Sequence, residues 1–335
     1  MSTDPGGLDA ALSAGDLDEL LRWVDRLCDA RDWDGLVRLG ERSRSAFRTS
    51  GRQLWPIASQ VEYRLALEAP APWAASVLVE GAGRFALGPL AEVAASSHTW
   101  AELAPHVVPG PAAGMAAHER VVRGEDVAMT AGAGAEVLEL PGTLCPWEPA
   151  YPVATYRPDQ ADFPAPPSPR LAPLDVPPAA VAMRSAVDDV ETATALRALV
   201  ERWVVESDGE VEVVAVEGGA ETAIAALAGD APVRGAEVTP AQALEAMAWA
   251  GASGGAHGRR RGAAVGRFGA WWALAALAGL LSDWPVPPER LGEAAAELRW
   301  LRWEPATWSG GWSLHLAVED PADEMAWAVA ATDRG

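Results

Sequence analysis

The chain contains no lysine and no asparagine: all 26 of its basic residues are arginine, set against 47 acidic ones, for a formal net charge of −21 over 335 residues. That balance repels phosphate backbones unless a basic face is set apart, so it disfavours a nucleic-acid partner. Together with abundant alanine, glycine and proline, the bias is the signature of a GC-rich coding sequence and carries no activity of its own. Cysteine is almost absent as well. Cys28 and Cys145 lie far apart in unlike surroundings, which excludes a disulfide framework or a cysteine metal centre and fits a reducing cytoplasm. The opening stretch MSTDPGGLDAALSAGDLDEL lacks a basic start and an apolar core, so no secretory leader is expected.

A membrane-spanning run is also missing. The uncharged stretch Phe268 to Leu281 would extend about 21 Å as a helix, short of the roughly 20 apolar residues that a bilayer requires. Extending it back to Gly262 brings in Arg267. The stretch therefore reads as a buried central helix, in which Gly262, Gly266 and Gly269 share one face and admit a close neighbour. His98, His106 and His118 have no carboxylate at ligand spacing, so neither a metal nor any other cofactor is expected.

What is present is apolar residues in abundance, half of the chain, enough for two cores. The expected fold is mainly α with α+β. Residues 8–125 read as an irregular helical domain, a bundle or helical-hairpin array: Leu17, Leu20, Leu21, Val24 and Leu27 recur at helical spacing, Asp16 and Asp32 stand at cap positions, and TWAE at 99–102 forms a capping box. Residues 131–182 read as an irregular, proline-rich linker. Val137 to Leu140 permit a short strand, and eight prolines between 158 and 178 forbid a helix.

Residues 185–335 read as an α+β domain with a small antiparallel or mixed sheet covered by helices. EVEVVAVE alternates as a strand, LRWLRW and WSLHLAVED form a hairpin about Gly310 and Gly311, and a final helix is expected at 321–332 carrying Met325, Trp327 and Val329. Ten of the 16 tryptophans follow residue 200, and the alternation in RWLRW buries one on each face of the sheet.

The stretch GGAHGRRRGAAVGRFG carries the one cluster with chemical potential. Glycines before a helix start expose amides at the positive end of the dipole, and Arg259, Arg260, Arg261 and Arg267, with His257, add donors suited to phosphate or carboxylate. From 253 to 303 seven arginines face four acids, a locally positive segment in an acidic protein. Pairing of those arginines with the protein's own carboxylates is the competing reading. The lysine and hydroxyl of a phosphate-binding P-loop are absent. GASGG at 251–255 matches the G-x-S-x-G pattern, with Asp283 and His315 following in hydrolase order, but helix rather than strand precedes Ser253. The glycine pair after EVEVVAVE is flanked by Glu217 and Glu221, which would repel a pyrophosphate.

The segments LWPIASQVEYRLALEAPAPWAA, FALGPLAEVAASSHTWAEL, AAHERVVRGED and GGAHGRRRGAAVGRFGAWWALAALAGL resemble an uncharacterised protein family of high-GC actinobacteria over most of the chain. The resemblance implies a bacterial cytoplasm and transfers no catalytic residue. With no complete catalytic constellation in view, the expected function is a non-catalytic protein-interaction or regulatory module docking an acidic protein partner or small anionic ligand at His257, Arg259, Arg260, Arg261 and Arg267. The alternative is an enzyme or binding protein for a small phosphorylated or carboxylated ligand, with the arginines as clamps and His257 as acid or base.

Overall fold

The computed structural model describes residues 5–128 and 135–335, which separate into two compact units. The first runs to Val121 and takes in Glu125–Val137 and Ala154–Phe163; the second takes Val122–Gly124, Leu138–Val153 and Pro164–Gly335. Within the stretch 131–182, residues 131–134 lie outside the described ones.

The first unit is helical: α1 Pro5–Ala14, α2 Leu17–Asp29, α3 Trp33–Ser50, α4 Trp55–Glu68, α5 Ala71–Ser76, α6 Leu90–Ser97, α7 Trp100–Leu103 and α8 Pro111–Val122. Side chains fix where these helices start. Asp16 accepts the Glu19 amide at 3.0 Å, Asp32 accepts that of Gly35 at 2.8 Å, and Thr99 and Glu102 close a reciprocal capping box. α2 turns Leu20, Trp23, Val24 and Leu27 inward, and α4 buries Ile57, Val61, Tyr63 and Leu65. α4 also buries charge, which is tolerable because it is paired: Glu62 accepts from Arg44 and from the Gly83 amide, and Arg64 bonds Asp25 at 2.5 Å and Glu68 at 2.9 Å. The short strands β1 Thr155–Tyr156 and β2 Ala161–Asp162 belong to this unit, where the Tyr156 hydroxyl donates to buried Glu92 at 2.6 Å.

The strand expected near Val137 to Leu140 is instead a 3-10 turn, Ala135–Leu138. Glu139 follows it in the left-handed region at φ 53°, which breaks any extended run, and its carboxylate accepts from the Trp284 indole at 2.9 Å.

The second unit is built on a seven-stranded, wholly antiparallel sheet: β3 Ala172–Leu174, β4 Ala186–Val187, β5 Glu210–Glu217, β6 Val233–Val238, β7 Arg299–Pro305, β8 Trp312–Asp320 and β9 Met325–Asp333, in the spatial order β3-β6-β7-β8-β9-β5-β4. Its helices are α9 Ala179–Ala182, α10 Val190–Leu199, α11 Glu201–Glu206, α12 Ala220–Ala228, α13 Pro240–Ala252, α14 Ala263–Leu277 and α15 Pro288–Glu297. β7 and β8 form the expected hairpin, with Trp300 opposite Val318, and Gly310 and Gly311 both take positive φ in its turn. The RWLRW alternation sends Trp300 to one face and Trp303 to the other, each 2% exposed.

The last element corrects an expectation. Residues 325–333 are a strand, not a helix, paired with β8 on one side and β5 on the other. Trp327, Val329 and Ala331 face the core formed with α10, α13 and α14, while Ala326, Ala328 and Ala330 face α12. A strand covered on both faces needs no polar alternation, and alanine on its second face imitates a helix. β6 went unread for a related reason: Gly235 interrupts it, and the Leu174 side chain occupies the space a β-carbon there would need, 2.8 Å away.

α14 crosses α13 with almost no separation. A β-carbon on Gly266 would stand 2.1 Å from the Ala248 carbonyl oxygen, and one on Gly251 would stand 3.3 Å from the Gly266 α-carbon. Of the three glycines read as one packing face, Gly266 makes the crossing, whereas Gly262 is the N-cap at φ 102°. Among the described residues no helix is long and apolar enough to cross a membrane.

Candidate functional site

The segment between α13 and α14 is pinned through its backbone. Ser253 ends α13; its hydroxyl accepts from the Trp203 indole at 2.8 Å and donates to the Ala250 carbonyl at 3.2 Å. Gly254 and Gly258 bring two strands of the loop together, since a β-carbon on Gly254 would stand 2.1 Å from the Gly258 oxygen. The Ala256 amide donates to Asp333 at 2.7 Å, the Arg259 amide to Glu206 at 2.9 Å, and the Arg261 amide to the Ala252 carbonyl at 2.7 Å. Burial raises the Asp333 carboxyl, but the Ala256 amide and further hydrogen bonds bring it below its ordinary value, so it holds the loop as an anion.

With the backbone fixed, side chains distribute by position. His257 and Arg259 are exposed, and Arg260 and Arg261 are half-buried. Arg259 and Arg260 have further contacts of their own, as do Ala263 and Ala264 in the first turn of α14. Arg261 differs. Burial pushes its guanidinium below its ordinary value, the charge of Arg202 pushes it further down, and only Glu201 works the other way. Arg202 itself is paired with Glu206 on α11.

Arg267 does not join this group. Its side chain is fully buried, and the guanidinium makes four hydrogen bonds: to Glu148 at 2.7 and 2.8 Å, to the Pro141 carbonyl at 3.0 Å and to the Thr143 carbonyl at 3.0 Å. Glu148 is equally surrounded, accepting from the Trp271 indole at 2.8 Å, the Tyr151 hydroxyl at 2.9 Å and the Cys145 amide at 2.8 Å. Burial alone would raise the Glu148 carboxyl, yet the Arg267 contacts bring it below its ordinary value. This is a buried polar knot fastening residues 138–153 to α14, with four of the five guanidinium N–H donors engaged within the protein. The local excess of arginine is reduced further downstream, where Arg299 bonds Glu221, Glu237 and Glu319 and Arg290 bonds Asp283.

The hydrolase pattern dissolves on the same evidence. Ser253 is buried and bonded to Trp203, Asp283 is paired with Arg290, and His315 lies between the rings of Trp303 and Trp308 at 4.9 and 5.6 Å. Burial, then the nearby Arg302, lowers the His315 imidazole to about 4, so it is neutral and has no serine to serve.

Arg202, Glu206 and Asp333 were not among the sequence candidates. The four-residue spacing of Arg202 and Glu206 on a helix was the available signal; nothing in the sequence points from Ala256 to Asp333. The described residues contain no group of three His, Cys, Asp or Glu able to hold a metal ion. Residues 18–335 match the model of a family described as a family of unknown function (DUF6183). No curated protein and no solved structure matches the chain.

Proposed function

The chain belongs to that family of unknown function, and we propose from its own residues that it is a non-catalytic interaction or regulatory module of an actinobacterial cytoplasm, docking an acidic group on the loop that carries His257, Arg259, Arg260 and Arg261. One observation carries the reading. The Arg261 guanidinium is half-buried beside Arg202 and bonds no carboxylate among the described residues, in a protein with 47 acidic side chains. An acidic group supplied from outside would lower the energy of the Arg261 charge, and His257 and Arg259 are exposed on the same loop. A loop held by backbone hydrogen bonds keeps such donors preorganised. Two free thiols and the all-arginine composition suit a reducing cytoplasm and a GC-rich genome.

The test is fluorescence anisotropy with a labelled oligoglutamate peptide at low salt, with inorganic phosphate and citrate as competitors. The peptide should bind, and Arg261→Gln should weaken it by about tenfold, the scale of one charge-assisted contact. Unchanged binding in Arg261→Gln and Arg202→Gln would refute the site. If phosphate or citrate instead binds as tightly as the peptide, the loop is a small-anion site.

A further inference from the structure

A second site lies in the first unit and is independent of the loop. A cleft of about 600 Å³ opens where three helix ends meet: the turn from α2 to α3, the junction of α4 with α5, and the turn from α6 to α7. That volume suits a small molecule. Its lining has opposite charges at defined places.

Arg31 stands exposed at the rim, with no ion pair among the described residues. Its backbone is left-handed at φ 54°, the residue after the α2 C-cap, where bonds from Arg31 to the Cys28 carbonyl and from Asp32 to the Leu27 carbonyl close the helix. Glycine is the ordinary occupant of such a position, and a side chain there is strained. An arginine rather than the unstrained glycine therefore lines the cleft at this position.

The walls offer acceptors. Glu68, although bonded by Arg64, presents a carboxylate, and Glu102 presents another from the capping box of α7. His98 bonds the Ala69 backbone through one ring nitrogen, while Nε2 is shut off from solvent without a partner. Burial holds the ring below its ordinary pKa, so it is neutral and Nε2 is an acceptor lacking a donor. The half-buried Trp33 contributes an aromatic face. Cys28 lines the cleft too, but burial pushes its thiol up to about 12, so the site binds rather than reacts. One exposed cation against two carboxylates suits neither a plain anion nor a plain amine; it suits a molecule with both ends.

We propose that this cleft binds a free α-amino acid with an aromatic or large apolar side chain, its carboxylate on Arg31, its ammonium on Glu68 and Glu102, and its side chain against Trp33. Isothermal titration of the full chain with L-phenylalanine, phenethylamine and 3-phenylpropionate separates the two charges on one skeleton. L-phenylalanine should bind at least about tenfold more tightly than either analogue. Arg31→Gln should abolish its advantage over phenethylamine, and Glu102→Gln should reduce its advantage over 3-phenylpropionate. Arg31→Gly supplies a readout that a merely structural arginine would not give, because relief of the left-handed strain should raise the melting temperature while affinity falls. The proposal is overturned if the three compounds bind alike, if neither L-phenylalanine nor L-leucine binds, or if Arg31→Gly binds as the parent does.

Discussion

Arg261 and Arg267 lie less than two helical turns apart in sequence and have opposite fates. Arg267 is fully buried and bonded to a carboxylate and two carbonyls; Arg261 is half-buried, beside another arginine, and bonds no carboxylate among the described residues. What separates them is delivery. Glu148 reaches Arg267 from 119 positions earlier in the chain, and no described acid is brought to Arg261 in the same way. A run of arginines therefore says nothing about its availability until the fold has allotted the counter-ions.

Breaking the closed pair should give the largest effect. Glu148→Gln, which leaves a buried guanidinium without its charge partner, should cost about 3 to 5 kcal/mol, read as a fall in denaturant midpoint at unchanged slope. The pH dependence sharpens the point. Because the Glu148 pKa is lowered on folding, its contribution is present above the ordinary carboxylate range and lost as pH falls through the lowered value. In Arg267→Gln burial is opposed only by hydrogen bonds such as those from the Cys145 amide and the Trp271 indole, so the Glu148 pKa should rise and the stability lost on acidification should shrink.

His315 provides a buried base with no acid at all. The unfolded chain takes up its proton near pH 6.5, whereas the native one waits until about 4, so stability is complete above 6.5 and declines across that window by up to about 3 kcal/mol. His315→Phe should flatten the decline in urea titrations across that range. Gly266→Ala would place a β-carbon 2.1 Å from the Ala248 carbonyl and should cost about 1 to 3 kcal/mol by forcing α13 and α14 apart. The smallest effect belongs to the open arginine: Arg261→Gln should move stability by no more than about 0.5 kcal/mol, measured by thermal melting, while it weakens oligoglutamate binding. A large destabilisation there would make Arg261 a second structural charge and erase the contrast.

Much of the frame was legible in the residues. Asp16, Asp32 and Thr99 act as caps at the positions their spacing indicated, and EVEVVAVE and WSLHLAVED are strands in which apolar residues recur at every second position, while LRWLRW sends one tryptophan to each face. Two strands escaped because alternation is blind to a strand covered on both faces, as in 325–333, and to one whose missing side chain is replaced by a neighbour, as Leu174 does at Gly235. For the loop, the sequence supplied the residue types but not their allotment. It could not say that Asp333 and Glu206 would hold its backbone, or that Glu148 would remove Arg267 from it.

The position of 325–333 also sets an order of events during synthesis. It is the last of the seven strands of this sheet in chain order, yet it lies between the β3-β6-β7-β8 block and the β5-β4 pair, which meet nowhere else in the sheet. Until Met325–Asp333 emerges, WSLHLAV and EVEVVA each present a bare, largely apolar edge to solvent. The nascent sheet is therefore most exposed to wrong pairing just before Met325–Asp333 is made, and a frameshift ahead of Met325 should yield aggregate rather than a smaller working sheet.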